Sequence, residues 1–280
     1  MTVAGFIGLG NMGRPMAMRI ARAGLPLRLW ARRPETLEDL LGGKVQACAS
    51  PRALGAAADV IGLCVRTDAE VLDVVLREPD GLLGGMRPGS VLLIHATVSP
   101  GTIDVLSAAA AARGVALLDA PVSGGAKAAE AGTLTVVLGG DAGIVAKARS
   151  VLDTYATHTP HVGGLGAAQI VKLLNNNLCY ANVAMGLQAI ALAEQLGLDA
   201  KMAASVIATS SGASHGFGLL MDRALVQKMA GPTSNVRKDV DHFLELINAR
   251  GIFGSPLTDI STSAAGAVAG YAAAGAPATP

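Results

Sequence analysis

Aromatic residues make up only 3% of this 280-residue chain and charged residues only 15%, and cysteine occurs three times. Each shortage excludes something. With a formal net charge of +1 there is no basic excess to attract nucleic acid, and no acidic run stands out. Cys48, Cys64 and Cys179 are odd in number and far apart, so they suit neither a disulfide framework nor a metal site. They read as small apolar residues in a reducing compartment. No window reaches the uninterrupted apolar length of a membrane span. The N-terminus shows neither the charged lead nor the cleavage site of a signal peptide, so a soluble cytoplasmic protein is expected. Hydrophobic residues are plentiful at 51%, and a core of Ala, Val, Leu and Gly lets helices approach closely. The length admits two domains of ordinary size.

The strongest local signal lies in "TVAGFIGLGNMGRPMAMRIARAG". Val3 to Ile7 reads as a short buried strand, and Arg14 to Ala23 has helical periodicity. Between them Gly8, Gly10 and Gly13 form GxGxxG, so the loop Gly8-Leu9-Gly10-Asn11-Met12-Gly13 is the candidate dinucleotide-binding turn. Gly8 permits the tight turn, Gly10 lets a pyrophosphate approach, and Gly13 lets the helix pack close to the strand. The helix N-terminus then offers N–H groups and partial positive charge to the phosphates.

The second strand, in "LPLRLWARRP", ends where NAD enzymes usually carry an acidic residue for the ribose. Arg32 and Arg33 stand there instead, and guanidinium groups can clamp a 2′-phosphate. NADP is therefore the expected cofactor, with NAD still open, since two arginines after a strand also suit a solvated loop. Strand and helix signals keep alternating through "ADVIGLCV", "RTDAEVLDVVL" with Thr67 or Asp68 as N-cap, and "GSVLLIHATVSPGTIDVLSAAAAARG". "VALLDAPVSGGAKAAEAGTLTVVLGGD" reads as two more strands around a glycine-rich turn. This order describes an open, mostly parallel sheet of Rossmann type with helices on both faces. The loops at Val65–Arg66–Thr67, His95–Ser99 and Pro121–Gly125 follow strands and can line one crevice. In the last of them, Ser123 offers a hydroxyl, and Gly124 and Gly125 expose N–H groups that can hold a carboxylate.

After Gly163, Gly164 and Gly166 the strand signals stop. One helix can run from about Ala167 to Leu196, roughly 45 Å at 1.5 Å per residue. Further helices are expected around Ala200–Ser210, Phe217–Met229, Asn235–Arg250 and Leu257–Ala269, while "AAAGAPATP" reads as frayed. The division is thus residues 1–163, a dinucleotide-binding domain, and residues 164–280, an all-α domain joined by a long helix. On that helix Lys172, Asn175 and Asn176 share a face that continues through Cys179, Val183, Gly186 and Ile190, and Gly186 and Ala189 suggest close helix contact. A lysine on a buried stripe needs a partner, and desolvation moves its pKa towards values useful in catalysis. A snorkelling lysine among capping amides fits the same segment.

Taken together, "FIGLGNMGRPMA", "DAPVSGG", the run from Gly164 through Lys172 to Asn176, and Lys238-Asp239 resemble the β-hydroxyacid dehydrogenases over nearly the whole chain. The resemblance implies a Rossmann domain and a helical domain that forms homodimers or homotetramers. It also implies hydride transfer between NADP(H) and a small 3-hydroxy acid of the 3-hydroxyisobutyrate or tartronate semialdehyde type. By position Lys172 matches the catalytic lysine, Asn176 the substrate-positioning amide, and Ser123 and Gly124 the carboxylate loop. Thr97 matches the residue near the nicotinamide, and Lys238 the lysine that closes over the cofactor. One departure is that His95-Ala96-Thr97 stands where the family often has Asp-x-Ser-Thr. A reductase of short aldehydes or imines, and a non-catalytic NADP-binding module, remain as alternatives.

Overall fold

A computed structural model of the chain describes residues 1–231 and 234–273. Residues 274–280, most of the stretch expected to fray, lie outside the described residues.

The opening βαβ unit forms as its sequence pattern demands. β1 (Ala4–Ile7) leads through the glycine turn to α1 (Gly13–Arg22), then to β2 (Leu27–Trp30). A 3₁₀ turn at Pro34–Leu40 and β3 (Val45–Ala47) follow. Next come α2 (Pro51–Ala57), β4 (Val60–Leu63), α3 (Asp68–Leu76), a single turn α4 (Leu82–Gly85), β5 (Val91–Ile94), α5 (Pro100–Ala111) and β6 (Ala116–Asp119). Thr67 is the N-cap of α3: its side chain accepts from the Glu70 N–H, and the Glu70 carboxylate accepts in return from the Thr67 N–H. The segment after β6 differs from the expected pair of strands around a turn. A two-residue strand β7 (Val122–Ser123) runs into a helix α6 (Gly125–Ala131), because "GAKAAEA" is made of good helix formers. Then come β8 (Leu134–Val136), β9 (Leu138–Gly139), α7 (Ala142–Leu152), β10 (Ala156–His158) and β11 (His161–Gly163).

Among the described residues these strands form a main sheet ordered β11-β9-β6-β5-β4-β1-β2-β3 and a small one ordered β10-β8-β7. From β3 to β6 every pairing of the main sheet is parallel, and β9 runs antiparallel to β6. The order 3-2-1-4-5-6 is that of a dinucleotide-binding sheet, with ligands expected beyond the carboxyl ends of its strands. Alternation along the strands feeds two cores. Phe6, Leu29 and Leu93 face a cluster with Met16 and Ile20, while Ile7, Ile61, Leu92 and Ile94 face another with Leu54, Val71 and Ile103. Each such side chain contributes about 1.5–3 kcal/mol by leaving water.

The chain divides into two compact units, Met1–Lys172 and Leu173–Pro280. The long helix α8 (Ala167–Gln195) runs past this boundary, with the extent the sequence predicts. Beyond it lie α9 (Ala200–Ala208), α10 (His215–Leu219), α11 (Arg223–Ala230), α12 (Val236–Ala249) and α13 (Pro256–Ala273), and no strand occurs there among the described residues. The helix expected at Phe217–Met229 is broken, because Asp222 caps a new helix by accepting from the Leu225 N–H. Gly186 packs closely, as expected: a Cβ there would meet Phe217 at 2.7 Å. Ala189, expected to do the same, is exposed. No described helix is long and apolar enough to cross a membrane.

Candidate active site

In the N-terminal unit, every loop singled out in the sequence leaves the carboxyl end of a strand of the main sheet or follows one closely. After β1, Gly8 has φ +93°, and a Cβ on it would lie 2.3 Å from the Cys64 carbonyl. A Cβ on Gly13 would lie 1.9 Å from the Gly8 carbonyl, whereas one on Gly10 would meet nothing within 4 Å. The fold therefore demands the outer two glycines, and open space stands over the middle one. Met12, the N-cap of α1, places no side-chain acceptor on the helix start. The residues present fit a dinucleotide's pyrophosphate.

After β2, Arg32 is exposed and lies 3.8 Å from Glu70, and Arg33 is exposed at the head of the 3₁₀ turn. An exposed pair at that distance is worth about 0–1 kcal/mol, so Arg32 can be drawn to another anion at little cost. After β4, Val65 is half-buried and Arg66 exposed, and the Arg66 N–H donates to Glu70. After β5, Thr97 is half-buried, and the Ser99 N–H and Thr102 hydroxyl donate to Asp68 at 2.9 and 2.6 Å. His95 is fully committed to the interior. Its Nδ1 lies 2.7 Å from the Ala120 carbonyl, its Nε2 3.1 Å from the Tyr155 hydroxyl, and its ring stacks on Phe6. Burial lowers its pKa from 6.5 to about 4, against the opposing pull of the Ala120 carbonyl. It is thus a neutral core residue. After β6, Ser123 is half-buried, and Gly124 and Gly125 are exposed with φ +122° and +72°. Lys172 is half-buried on α8.

In the C-terminal unit the asparagine run is organised by a residue 63 positions further on. Asp239, 2% exposed, accepts on one carboxylate oxygen from Asn176 Nδ2 at 2.8 Å and from the Tyr180 hydroxyl at 2.9 Å. Lys238 Nζ lies 3.3 Å from its other oxygen. Burial, with the Asp239 charge beside it, pushes the Tyr180 hydroxyl well above its usual range and keeps it a donor. The pairing of Asn175 with Asn176 on one inward face needs correction. Asn175 is exposed and donates to Asn176 Oδ1 at 3.2 Å, while Asn177 is fully buried and donates to the Leu173 and Asp239 carbonyls. Positions 175 and 177 are about 200° apart on a helix, so both cannot face α12. Asn176, at the margin, is half-buried. Asp239, Tyr180 and Asn177 escaped the sequence reading as site residues. The available signal was the Lys238-Asp239 pair, read for its lysine alone.

Residues 3–164 match the family model described as the NAD binding domain of 6-phosphogluconate dehydrogenase. Residues 166–273 match the one described as NAD-binding of NADP-dependent 3-hydroxyisobutyrate dehydrogenase. The chain belongs to the β-hydroxyacid dehydrogenase family. As a member it is an NAD(P)-dependent 3-hydroxyacid dehydrogenase. It is 36% identical over 219 residues to a 3-hydroxyisobutyrate dehydrogenase of Pseudomonas aeruginosa, covering 78% of this chain and 73% of that one. An NAD-dependent L-serine dehydrogenase of the same organism is 38% identical over 207 residues, or 74% and 69% of the two chains. Among solved structures, Mycobacterium tuberculosis 3-hydroxyisobutyrate dehydrogenase with L-serine matches with TM-score 0.79 and 29% identity, over 98% of this chain and 94% of that one.

Proposed function

We propose that this β-hydroxyacid dehydrogenase moves a hydride between NADP(H) and a small 3-hydroxy acid of the 3-hydroxyisobutyrate or tartronate semialdehyde type. The observation that carries the reading is Lys172, half-buried one helical turn before an Asn176 amide that Asp239 holds in place. When bound, the nicotinamide supplies or accepts the hydride. Lys172 gives the hydroxyl its proton as an ammonium in the reducing direction and takes it as an amine in the oxidising one, and the charged form stabilises charge developing on that oxygen. Asn176 orients the hydroxyl, and Ser123, Gly124 and Gly125 hold the carboxylate. Gly8, Leu9, Gly10, Asn11, Met12, Gly13, Val65, Arg66, Thr97 and Lys238 hold the cofactor, and Arg32 and Arg33 favour NADP over NAD through the 2′-phosphate.

The relatives favour this substrate class. L-serine, named for one relative and present with another, shares with 3-hydroxyisobutyrate a carboxylate and a primary hydroxyl two carbons away. Residues 1–163 act as the dinucleotide domain and residues 164–280 as the substrate and oligomerisation domain. A homodimer or homotetramer is supported by exposed apolar side chains at Leu178, Met185 and Leu192, seven apart on α8, and at Met202 and Val206 on α9. A cytoplasmic location rests on the composition, with only three cysteines, far apart in the chain.

The test is turnover of a panel of small 3-hydroxy acids with NADP and NAD in parallel, with carboxylate-free alcohols alongside. Lys172→Ala is expected to lower turnover by about 10²–10⁴-fold while cofactor affinity stays near wild type. Wild-type turnover in that variant would remove Lys172 from its role.

A further inference from the structure

Thr97 stands between Ala96 and Val98, both buried. A buried main chain that has just left a strand must still satisfy its N–H and C=O groups. Here one side chain serves both. Gln169 Nε2 donates to the Ala96 carbonyl at 2.9 Å, and Gln169 Oε1 accepts from the Val98 N–H at 3.2 Å. The two bonds straddle Thr97, so the carboxamide behaves as a neighbouring strand would. Gln169 is itself 0% exposed and lies in the first turn of α8. Its own N–H and that of Gly166 donate to the two carboxylate oxygens of Asp119, at 3.0 and 2.9 Å. Asp119 closes β6, so the start of α8 is pinned to the end of one strand and grips the loop leaving the next. Lys172 follows Gln169 by three residues.

We infer that Gln169 is a positioning residue: its carboxamide sets where Thr97 stands relative to the first turns of the helix that carries Lys172. The inference rests on the roles proposed above for Thr97 and Lys172. The far side of the loop is held separately, by Asp68 on Ser99, while Gln169 holds the main chain on both sides of Thr97. The place demands one donor and one acceptor at fixed separation. Leucine offers neither, and an ionised glutamate offers the acceptor alone.

The experiment compares full-length wild type, Gln169→Leu and Gln169→Glu, with Val151→Ala as a control for lost core packing remote from the loop. In Gln169→Leu, kcat should fall about 10- to 100-fold while KM for NADP changes less than about threefold, the split expected of a misplaced reacting group. The primary isotope effect with deuterated cofactor should rise, and amide exchange across residues 96–98 should quicken. Val151→Ala should lose thermal stability with kcat and exchange at 96–98 nearly unchanged. If Gln169→Leu fails to fold, Gln169→Glu decides at a pH where its carboxyl is ionised, because it then keeps the length and the bond to Val98 but not the donor. A kcat matching wild type, or a loss no larger than that of Val151→Ala at equal folded fraction, overturns the inference. If wild type turns over no acid, the proposed reaction fails on its own. Amide exchange then decides for Gln169: faster exchange supports the clamp, and unchanged exchange at Val98 overturns it.

Discussion

Among the described residues each unit holds one buried aspartate, and the two are secured by opposite means. Asp119, 0% exposed, is bound by main-chain N–H groups of Gly166 and Gln169. Asp239, 2% exposed, is bound by the side chains of Asn176 and Tyr180, with Lys238 as its counter-charge. Main-chain donors come with any sequence that takes the fold, so Asp119 works as a pin of the architecture. Side-chain donors depend on the residues at two positions, so the environment of Asp239 can be altered one partner at a time.

The largest expected effect follows from that contrast. Asp119→Ala leaves two buried N–H groups without acceptors and should cost about 3–5 kcal/mol in urea unfolding. A loss below about 1 kcal/mol would show that water replaces the carboxylate freely. His95 extends the contrast to pH. Its folded pKa of about 4 lies below the 6.5 of the unfolded chain, so on acidification the unfolded state takes up the proton first. Its contribution is fully present above pH 6.5 and declines towards pH 4, by about 3 kcal/mol in all. Asp119, whose pKa burial raises despite the Gly166 and Gln169 N–H bonds, opposes this in the range above 3.8. Urea titrations at stepped pH check the slope, which His95→Asn should flatten.

Asp239→Asn is the milder probe. It keeps the volume and an acceptor for Asn176 and Tyr180 but removes the charge facing Lys238, and should cost about 1–2 kcal/mol. If it costs more than Asp119→Ala, the ranking of the two pins reverses. The smallest effect is at Met202, 65% exposed: Met202→Ser should change monomer stability by less than about 0.5 kcal/mol. Sedimentation of the same variant shows whether that side chain is covered by a second copy.

What could be read from the sequence follows the same division. The turn from Gly8 to Gly13 was legible because glycine is sterically required there, and the long helix because its apolar spacing persists for 29 residues. β3, β10 and β11 have three residues each, too few for alternation to register. The break before α11 was legible in principle, since Asp222 is a good N-cap, but apolar periodicity on both sides concealed it. Asn177 was overlooked beside Asn175 and Asn176 because the choice among three adjacent amides depends on where α12 lies. Asp239, far along the chain, carries no local mark of that.

The crowding of the first turn bears on how mutants of this protein must be judged. A methyl at position 13 would sit 1.9 Å from the Gly8 carbonyl, and one at position 8 would sit 2.3 Å from the Cys64 carbonyl. Inactive alanine variants at either place would report a broken backbone and say nothing about nucleotide affinity. Gly10 alone of the three can accept a methyl without touching the protein, so it is where a lost cofactor can be told from a lost fold.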